Sequence, residues 1–576
     1  MRSRPRTARR PFDSGGTGDV VVLRDRQSEF GGHPGGGVTP VVHPSPEDLC
    51  RGHLRDGMRV HVASTMSRPN ALVLAMARVF RGVATFEISS NAFHGNMHAL
   101  TMAGIVRHAI TCFAGDTYPS SQPNPLYSGL PGGDPFPVEE WSLLSLLQRL
   151  IAGATGIPFA VTTSLVGSDL NRNLPLVERG GRRAVLVPAL RPDITLVHAT
   201  CADRVGNLYL NGPGGEGWWG AMAARDGVLA TVEKIVDTPP LEGRSIPADR
   251  VLGIAVRAFG AHPQGLPAWP ECHFEGYQDD YEYLAELARS CRTAEERAAW
   301  VHDKLVAAPE RHDGETAGCS STPAPSVVAA GAPSWREKHI VLAARAIGDR
   351  VLEAGYGTIL AGIGTAHVAA WLAAERLGAV GERVQVHAEL GLIDMRPAAG
   401  DVFLFSQRHV ARCRTYGDSL DVLGALVSGG SGKALAVLSA GEIDAEGRIN
   451  SSRTADGGYF VGSGGANDFA SHLETLVVAP ASPRRLVPNV SFTTCPGDNV
   501  RTVVTQYGRL GRQDPSESFR LHTWLPPDDT PDADPVATMR SRTRWPVPDS
   551  RPEPEKPVTD DELAALRKLD PEGVYR

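Results

Sequence analysis

Apolar positions follow two periods along this chain, and the periods alternate. Residues 69–80 (PNALVLAMARVF) carry apolar side chains at helical spacing behind Pro69, and residues 140–152 repeat that spacing. Short apolar runs bounded by Gly and Pro follow. Segments 159–165, 184–188, 194–199 and 228–236 read as buried strands, with a short helix over 217–225 between the last two. A charged helical stretch covers 277–306. A second series begins near Trp335. It runs helix 335–353, strand 357–361, helix 366–378, then strands 402–405, 434–438 and 475–478. Strands alternating with helical patterns predict an α/β protein with a largely parallel sheet.

The breaks in this pattern set the domains. Residues 1–45 are rich in Arg, Gly and Pro and read as a disordered tail. Residues 308–333 are rich in Pro, Ala, Ser and Gly without periodicity and read as a linker. The expected order is therefore tail 1–45, a first α/β domain 46–307, linker 308–333, a second α/β domain 334–524, and an extended C-terminal segment 525–576 ending in a short helix over 560–569. At 576 residues the chain exceeds what one ordinary core holds. A faint repeat ties the halves together: residues 202–212 (ADRVGNLYLNG) resemble residues 443–452 (IDAEGRINSS), each with Asp-x-x-Gly, a polar residue, apolar residues and Asn. Two related open domains facing each other are expected to bind a ligand in the cleft between them.

Composition narrows the function. Lys+Arg number 58 against 65 Asp+Glu, so the chain has no overall basic field and a nucleic-acid partner is not expected. The eight cysteines are scattered without a Cys-x-x-Cys pair, which argues against zinc and redox motifs and for reduced thiols in the cytoplasm. Arg2, Arg4, Arg6, Arg9 and Arg10 precede no apolar stretch of signal-peptide type, and no apolar run reaches membrane-helix length. His94 and His98 have the i, i+4 spacing of metal ligands. Gly95 and Asn96 between them disfavour a helix, no acidic partner follows in pattern, and no metal is assigned.

The candidate chemistry centres on Glu389. A short β-type stretch leads into it, and Leu390 and Gly391 follow. A carboxylate is costly to bury, so one at the end of a strand, beside a Gly that permits close approach, is a candidate nucleophile. Familiar alternatives fail. Gly429 to Lys433 resembles a phosphate loop, but Val427 and Ala434 occupy two required positions. Gly362 and Gly364 follow a strand and open a helix, but His367 stands where the dinucleotide fingerprint needs its third Gly. That helix start remains a candidate phosphate site through its free N–H groups. Residues 462–468 (GSGGAND) form a Gly-rich loop that brings main-chain N–H groups toward a ligand. Carboxylate and loop together supply a nucleophile and donors for an oxyanion, the parts needed for acyl transfer.

With these residues the chain resembles the class I coenzyme A transferases of the glutaconate type. In the first half the resemblance rests on residues 67–72, 104–107, 198–207, 231–236 and 260–263, which look like the family's A-type half. In the second half it rests on 389–391, 441–444 and 462–468, which look like the B-type half. The resemblance implies two CoA-transferase-like domains fused in one chain, with the active site at their interface. It implies that Glu389 is the catalytic residue and that Gly464, Gly465 and Ala466 form the oxyanion and substrate loop. Gly362, Gly364, Gly391 and Asn467 are the CoA-binding candidates. Leu390 departs from the small or polar residue often found inside Glu-x-Gly. The implied activity is transfer of CoA from an acyl-CoA to a small carboxylic acid through a glutamyl-CoA thioester, with no permanently bound cofactor and CoA thioester as substrate. A homo-oligomer is left open. The alternatives are hydrolysis of a CoA thioester or of a carbon–carbon bond in a ring-derived acyl-CoA, and a non-catalytic acyl-CoA-binding protein.

Overall fold

Parallel strands dominate two sheets. In the computed structural model the described residues are 40–64, 67–171, 173–240, 243–307, 331–397, 403–430 and 433–576. Most of the tail 1–45, the linker positions 308–330, Val402, and Ser431 and Gly432 of the phosphate-loop-like stretch lie outside them.

The first sheet runs Val41–His43, Val251–Val256, Gly227–Val236, Ile194–Asp203, Arg59–Val62, Phe86–Ser89, Val106–Thr111 and Val138–Glu140, every neighbouring pair parallel. The short strands Leu208–Leu210 and Arg244–Ile246 add to it antiparallel. In the second sheet Gln385–His387, Thr358–Ala361, Ala434–Ser439, Glu474–Val478 and Val500–Thr505 are parallel, followed by the antiparallel Gly508–Gly511 and Arg520–Leu521. The fold is thus α/β with large parallel sheets, as the alternating periods predict.

Several helices start where side chains satisfy their free N–H groups. Ser142 opens Leu143–Thr155 through a capping box with Ser145, and Gly156 closes it at φ +74°. Ser334 and Glu337 cap Trp335–Ala354 in the same way. Asn70–Phe80 buries Leu72, Val73, Met76 and Phe80.

Several segments depart from the sequence reading. The helix expected from 140 begins at Leu143, because Val138–Glu140 pairs with Val106–Thr111 as the sheet's last strand. Phe159–Thr162 and Arg182–Pro188 are not buried in the main sheet. With Leu176–Arg179 they form a three-stranded antiparallel sheet that leaves Phe159 and Val161 exposed. The stretch 277–306 breaks into Tyr281–Ser290 and Ala294–Val301, the second capped by Thr293 and Glu296. Residues 403–405 form no strand, and Phe403 instead packs edge-on against Tyr118 and Tyr281. The segment 525–558 is not extended throughout, since Asp534 caps a helix over Pro535–Arg542.

The two halves share a core. One hydrophobic cluster holds Leu144, Leu147 and Leu150 from the first half together with Val422, Leu423, Phe469 and Val477 from the second. Main-chain hydrogen bonds join them as well. The Ala114 N–H donates to the Val461 carbonyl at 2.8 Å, the Gly464 N–H to Cys112 at 2.8 Å, and the Leu143 N–H to Gly464 at 3.0 Å.

Candidate active site

The carboxyl ends of both sheets open onto one cavity of about 590 Å³. Ser64, Asn91 and Cys112 follow strands of the first sheet, Gly362, Glu389 and Ser439 lie at strand ends of the second, and all six line the cavity. Ligands of open α/β sheets sit in this place, because strand ends there give way to loops and helix N-termini.

Glu389 stands just past Gln385–His387, in a turn closed by the Gly391 N–H on the Ala388 carbonyl at 3.1 Å. It is partly exposed, toward the cavity it lines. Burial raises its carboxyl to about 8, and the negative charge of Asp468 adds to the shift. The Gly465 main-chain N–H acts the other way, favouring the ionised form. Glycine at 465 leaves room for this carboxylate. A Cβ at this position would stand 2.0 Å from Oε2 of Glu389.

The Gly-rich loop offers fewer donors than its sequence suggests. The Gly464 N–H is held by the Cys112 carbonyl at 2.8 Å and the Ala466 N–H by Ser463 at 3.1 Å. Of these three N–H groups, the one at Gly465 faces the carboxylate.

The CoA-binding candidates divide. Gly362 and Gly364 line the cavity, but the Gly364 N–H is already donated to Nδ1 of His367 at 2.8 Å. Gly391 and Asn467 lie behind the cavity wall. Gly391, at φ +115°, lets the backbone of Gly417 approach, with the Gly417 carbonyl 2.7 Å from where a Cβ would sit. Asn467 is buried and donates through Nδ2 to the Thr494 carbonyl at 2.8 Å. The two spaced histidines go separate ways: His94 meets the Thr117 hydroxyl at 3.3 Å, and His98 lies between Tyr127 at 2.8 Å and Asp116 at 3.1 Å.

Among polar residues that sequence reasoning did not single out, Arg68 lines the cavity, and three buried carboxyls lie outside its lining. Arg68 is buried at the cavity wall, donating to the Ala92 carbonyl at 3.1 Å and to Oδ1 of Asn91 at 2.9 Å, and burial lowers its guanidinium to about 10. Glu216 lies near it and accepts the Ser64 N–H at 3.0 Å, and burial raises its carboxyl to about 8. Glu140 bonds the Ser452 hydroxyl, and burial raises its carboxyl to about 7. Asp468 accepts the Ser142 hydroxyl at 2.7 Å and the Leu144 N–H at 2.9 Å, with its carboxyl raised by burial to about 6. The signal for Arg68 and Asp468 lay in the motifs that carry them, 67–72 and 462–468. Glu140 and Glu216 carried none, because their partners are distant in sequence.

Comparison with known proteins bears on the fold and on the first half of the chain. Residues 44–252 match the family model described as Coenzyme A transferase. Over 175 residues the chain is 31% identical to one of the subunits of the 3-oxoadipate CoA-transferase of Pseudomonas knackmussii, covering 29% of this chain and 59% of that protein. It is also 31% identical over 183 residues to an uncharacterized protein of Archaeoglobus fulgidus, covering 30% of this chain and 39% of that one. The chain thus spans less than two thirds of the length of either curated relative. In structure it superposes on the acyl-CoA transferase (YdiF) apoenzyme from Escherichia coli O157:H7 with a TM-score of 0.62 at 16% identity, over 92% of this chain and 97% of that one. The thioester complex of that enzyme with CoA gives a TM-score of 0.62 at 16% identity, over 90% and 94%. The segment 44–252 thus matches the coenzyme A transferase family model, and over 92% of its length the chain shares the fold of the acyl-CoA transferase YdiF.

Proposed function

We propose that this chain transfers CoA from an acyl-CoA to a carboxylic acid, with Glu389 as the nucleophile, and that its halves are A-like and B-like parts of the glutaconate type fused in one chain. The observation that carries the reading is the Glu389 carboxyl, set against the Gly465 N–H in a cavity lined by both sheets. A carboxylate attacking a thioester carbonyl gives an acyl-glutamyl anhydride and CoA thiolate. The thiolate then attacks the Glu389 carbonyl, forming a glutamyl-CoA thioester and releasing the first acid. An acceptor carboxylate attacks this thioester, regenerating an anhydride and CoA thiolate. Attack of the thiolate on the acceptor's acyl carbon forms the new acyl-CoA and frees Glu389. Each tetrahedral intermediate carries an oxyanion, and a main-chain donor at such a site contributes roughly 3–4 kcal/mol. Gly465 is the donor closest to this task.

The test is the mass of the intact protein after exposure to acetyl-, succinyl- and benzoyl-CoA in turn. A CoA-sized adduct is expected within the peptide that carries Glu389, absent in Glu389→Ala. An adduct on a cysteine overturns the assignment of Glu389. Steady release of free thiol without any carboxylate acceptor overturns transfer in favour of thioester hydrolysis, since a transferase must keep water from its intermediates.

A further inference from the structure

Two buried carboxylates reach across the halves in opposite directions, and the Gly-rich loop lies between them. Glu140, at the end of the strand Val138–Glu140 in the first half, takes the Ser452 hydroxyl of the second. Ser452 is tied to the loop: its carbonyl accepts the Phe460 N–H at 2.8 Å, and the carbonyl of the adjacent Ser451 accepts those of Val461 at 3.0 Å and Gly462 at 2.8 Å. Glu140 Oε2 is otherwise buried without a hydrogen-bond partner, and the Ser463 main chain adds a lesser interaction that favours its charged form. From the other side, Asp468 of the second half holds the first half's Ser142 and Leu144. Between those two residues, the Leu143 N–H donates to the Gly464 carbonyl. The loop is therefore gripped at 460–463 through Glu140 and at 464 through the segment that Asp468 fixes.

We propose that Glu140 and Asp468 are a crossed pair of positioning residues that clamp the loop 461–465 and so set the Gly465 N–H against the carboxyl of Glu389. This deepens the proposed transferase reading and rests on it only for the role of Glu389. Burying two carboxyls costs stability that their hydrogen bonds offset, and the groups those bonds reach flank the loop. Asp468 has a second effect, because its charge acts on Glu389 directly. The other titratable groups facing the pair are Cys112, Cys495 and His472 around Asp468, and Arg453, Tyr459 and Cys112 around Glu140.

Amide hydrogen exchange of the full chain decides the clamp without any ligand. In Glu140→Ala and Asp468→Ala the peptide covering 461–466 is expected to exchange about tenfold faster or more, while the strand Glu474–Val478 exchanges as in the parent. Glu140→Gln, which keeps an acceptor oxygen, is expected to restore slow exchange. Ser452→Ala breaks the same bond with a smaller change and serves where Glu140→Ala does not fold. Unchanged exchange at 461–466, or a rise spread evenly over both peptides, overturns the clamp. The catalytic readout is the rate of CoA adduct formation with whichever of the three thioesters labels the parent. A loop displaced by about 1 Å lowers that rate on the order of a hundredfold in Glu140→Ala, with half-saturation by acyl-CoA little changed. In Asp468→Asn the rise of that rate with pH shifts to lower pH, because the charge that adds to the effect of burial on the Glu389 carboxyl is gone. Absence of any adduct in the parent overturns the transferase reading alone, since exchange still decides the clamp.

Discussion

At the scale of single residues, Glu389 in the cavity and three buried carboxyls outside its lining are raised toward neutral pH and above, and this sets their behaviour with pH. Glu389 and Glu216 are raised to about 8, Glu140 to about 7 and Asp468 to about 6, with burial the largest cause in each. Here the folded protein keeps protons that the unfolded chain gives up, so the contribution of these groups to stability is most favourable at low pH and falls as pH rises from the unfolded value of 4.5 toward 8 for the two most shifted groups. Glu216→Gln removes one such proton equilibrium while leaving Glu389 in place. It is expected to raise the melting temperature at pH 8, worth on the order of 1–3 kcal/mol, and to leave it nearly unchanged at pH 4. An equal change at both values counts against burial as the cause. A second outcome follows from space alone. Gly465→Ala sets a methyl 2.0 Å from Oε2 of Glu389, so the carboxylate or the loop has to move. Adduct formation on Glu389 is expected to fall about a hundredfold or more while the melting temperature shifts little, as checked by intact mass and thermal unfolding.

At the scale of elements, the sequence was readable where period and partner are local. The helices Asn70–Phe80, Trp335–Ala354 and Asp560–Leu569 lie where apolar spacing places them. The internal echo is also real in local geometry. Oδ1 of Asp203 accepts the N–H groups of Val205, Gly206 and Asn207, and Oδ1 of Asp444 accepts those of Glu446 and Arg448. The Gly of each motif takes a positive φ, +102° at Gly206 and +80° at Gly447. Asp203→Ala removes these bonds and those from Asn207 Nδ2 and the Tyr209 hydroxyl. It is expected to cost about 1–2 kcal/mol in urea unfolding without altering adduct formation, since Asp203 does not line the cavity. Reading failed where a short apolar run has two uses. Phe403 and Phe405 supply aromatic surface to the cavity, which in sequence looks the same as a strand. It failed again at Glu140, whose partner Ser452 is 312 positions away and beyond the reach of any local period. The Gly-rich loop was visible by composition. That its Gly464 and Ala466 N–H groups are already bonded was not, because Cys112, the partner of the first, comes from the other half.

At the scale of the whole molecule, the cavity is lined from both halves, so the proposed function rests on their association. Glu389 and Gly465 come from the second half, while Glu140, Ser142 and Leu144 hold the loop region from the first. The halves are joined by more than the chain between them. Leu144, Leu147 and Leu150 pack in one core with Val422, Leu423 and Phe469, and Asp169 exchanges hydrogen bonds with Thr493, each at 2.8 Å. A core of this kind buries apolar surface at roughly 25 cal/mol per Å², a stabilisation that does not depend on covalent continuity. A protease site inserted within 308–330 and cut after purification is therefore expected to leave two fragments that co-elute in native gel filtration and still form the adduct on Glu389. In urea they are expected to separate. Either half expressed alone exposes its share of the common core and is expected to aggregate or recover only on adding the other. Fragments that elute apart in native buffer overturn the shared core as the force holding the site together, and activity in the isolated second half removes the first half's clamp from the mechanism.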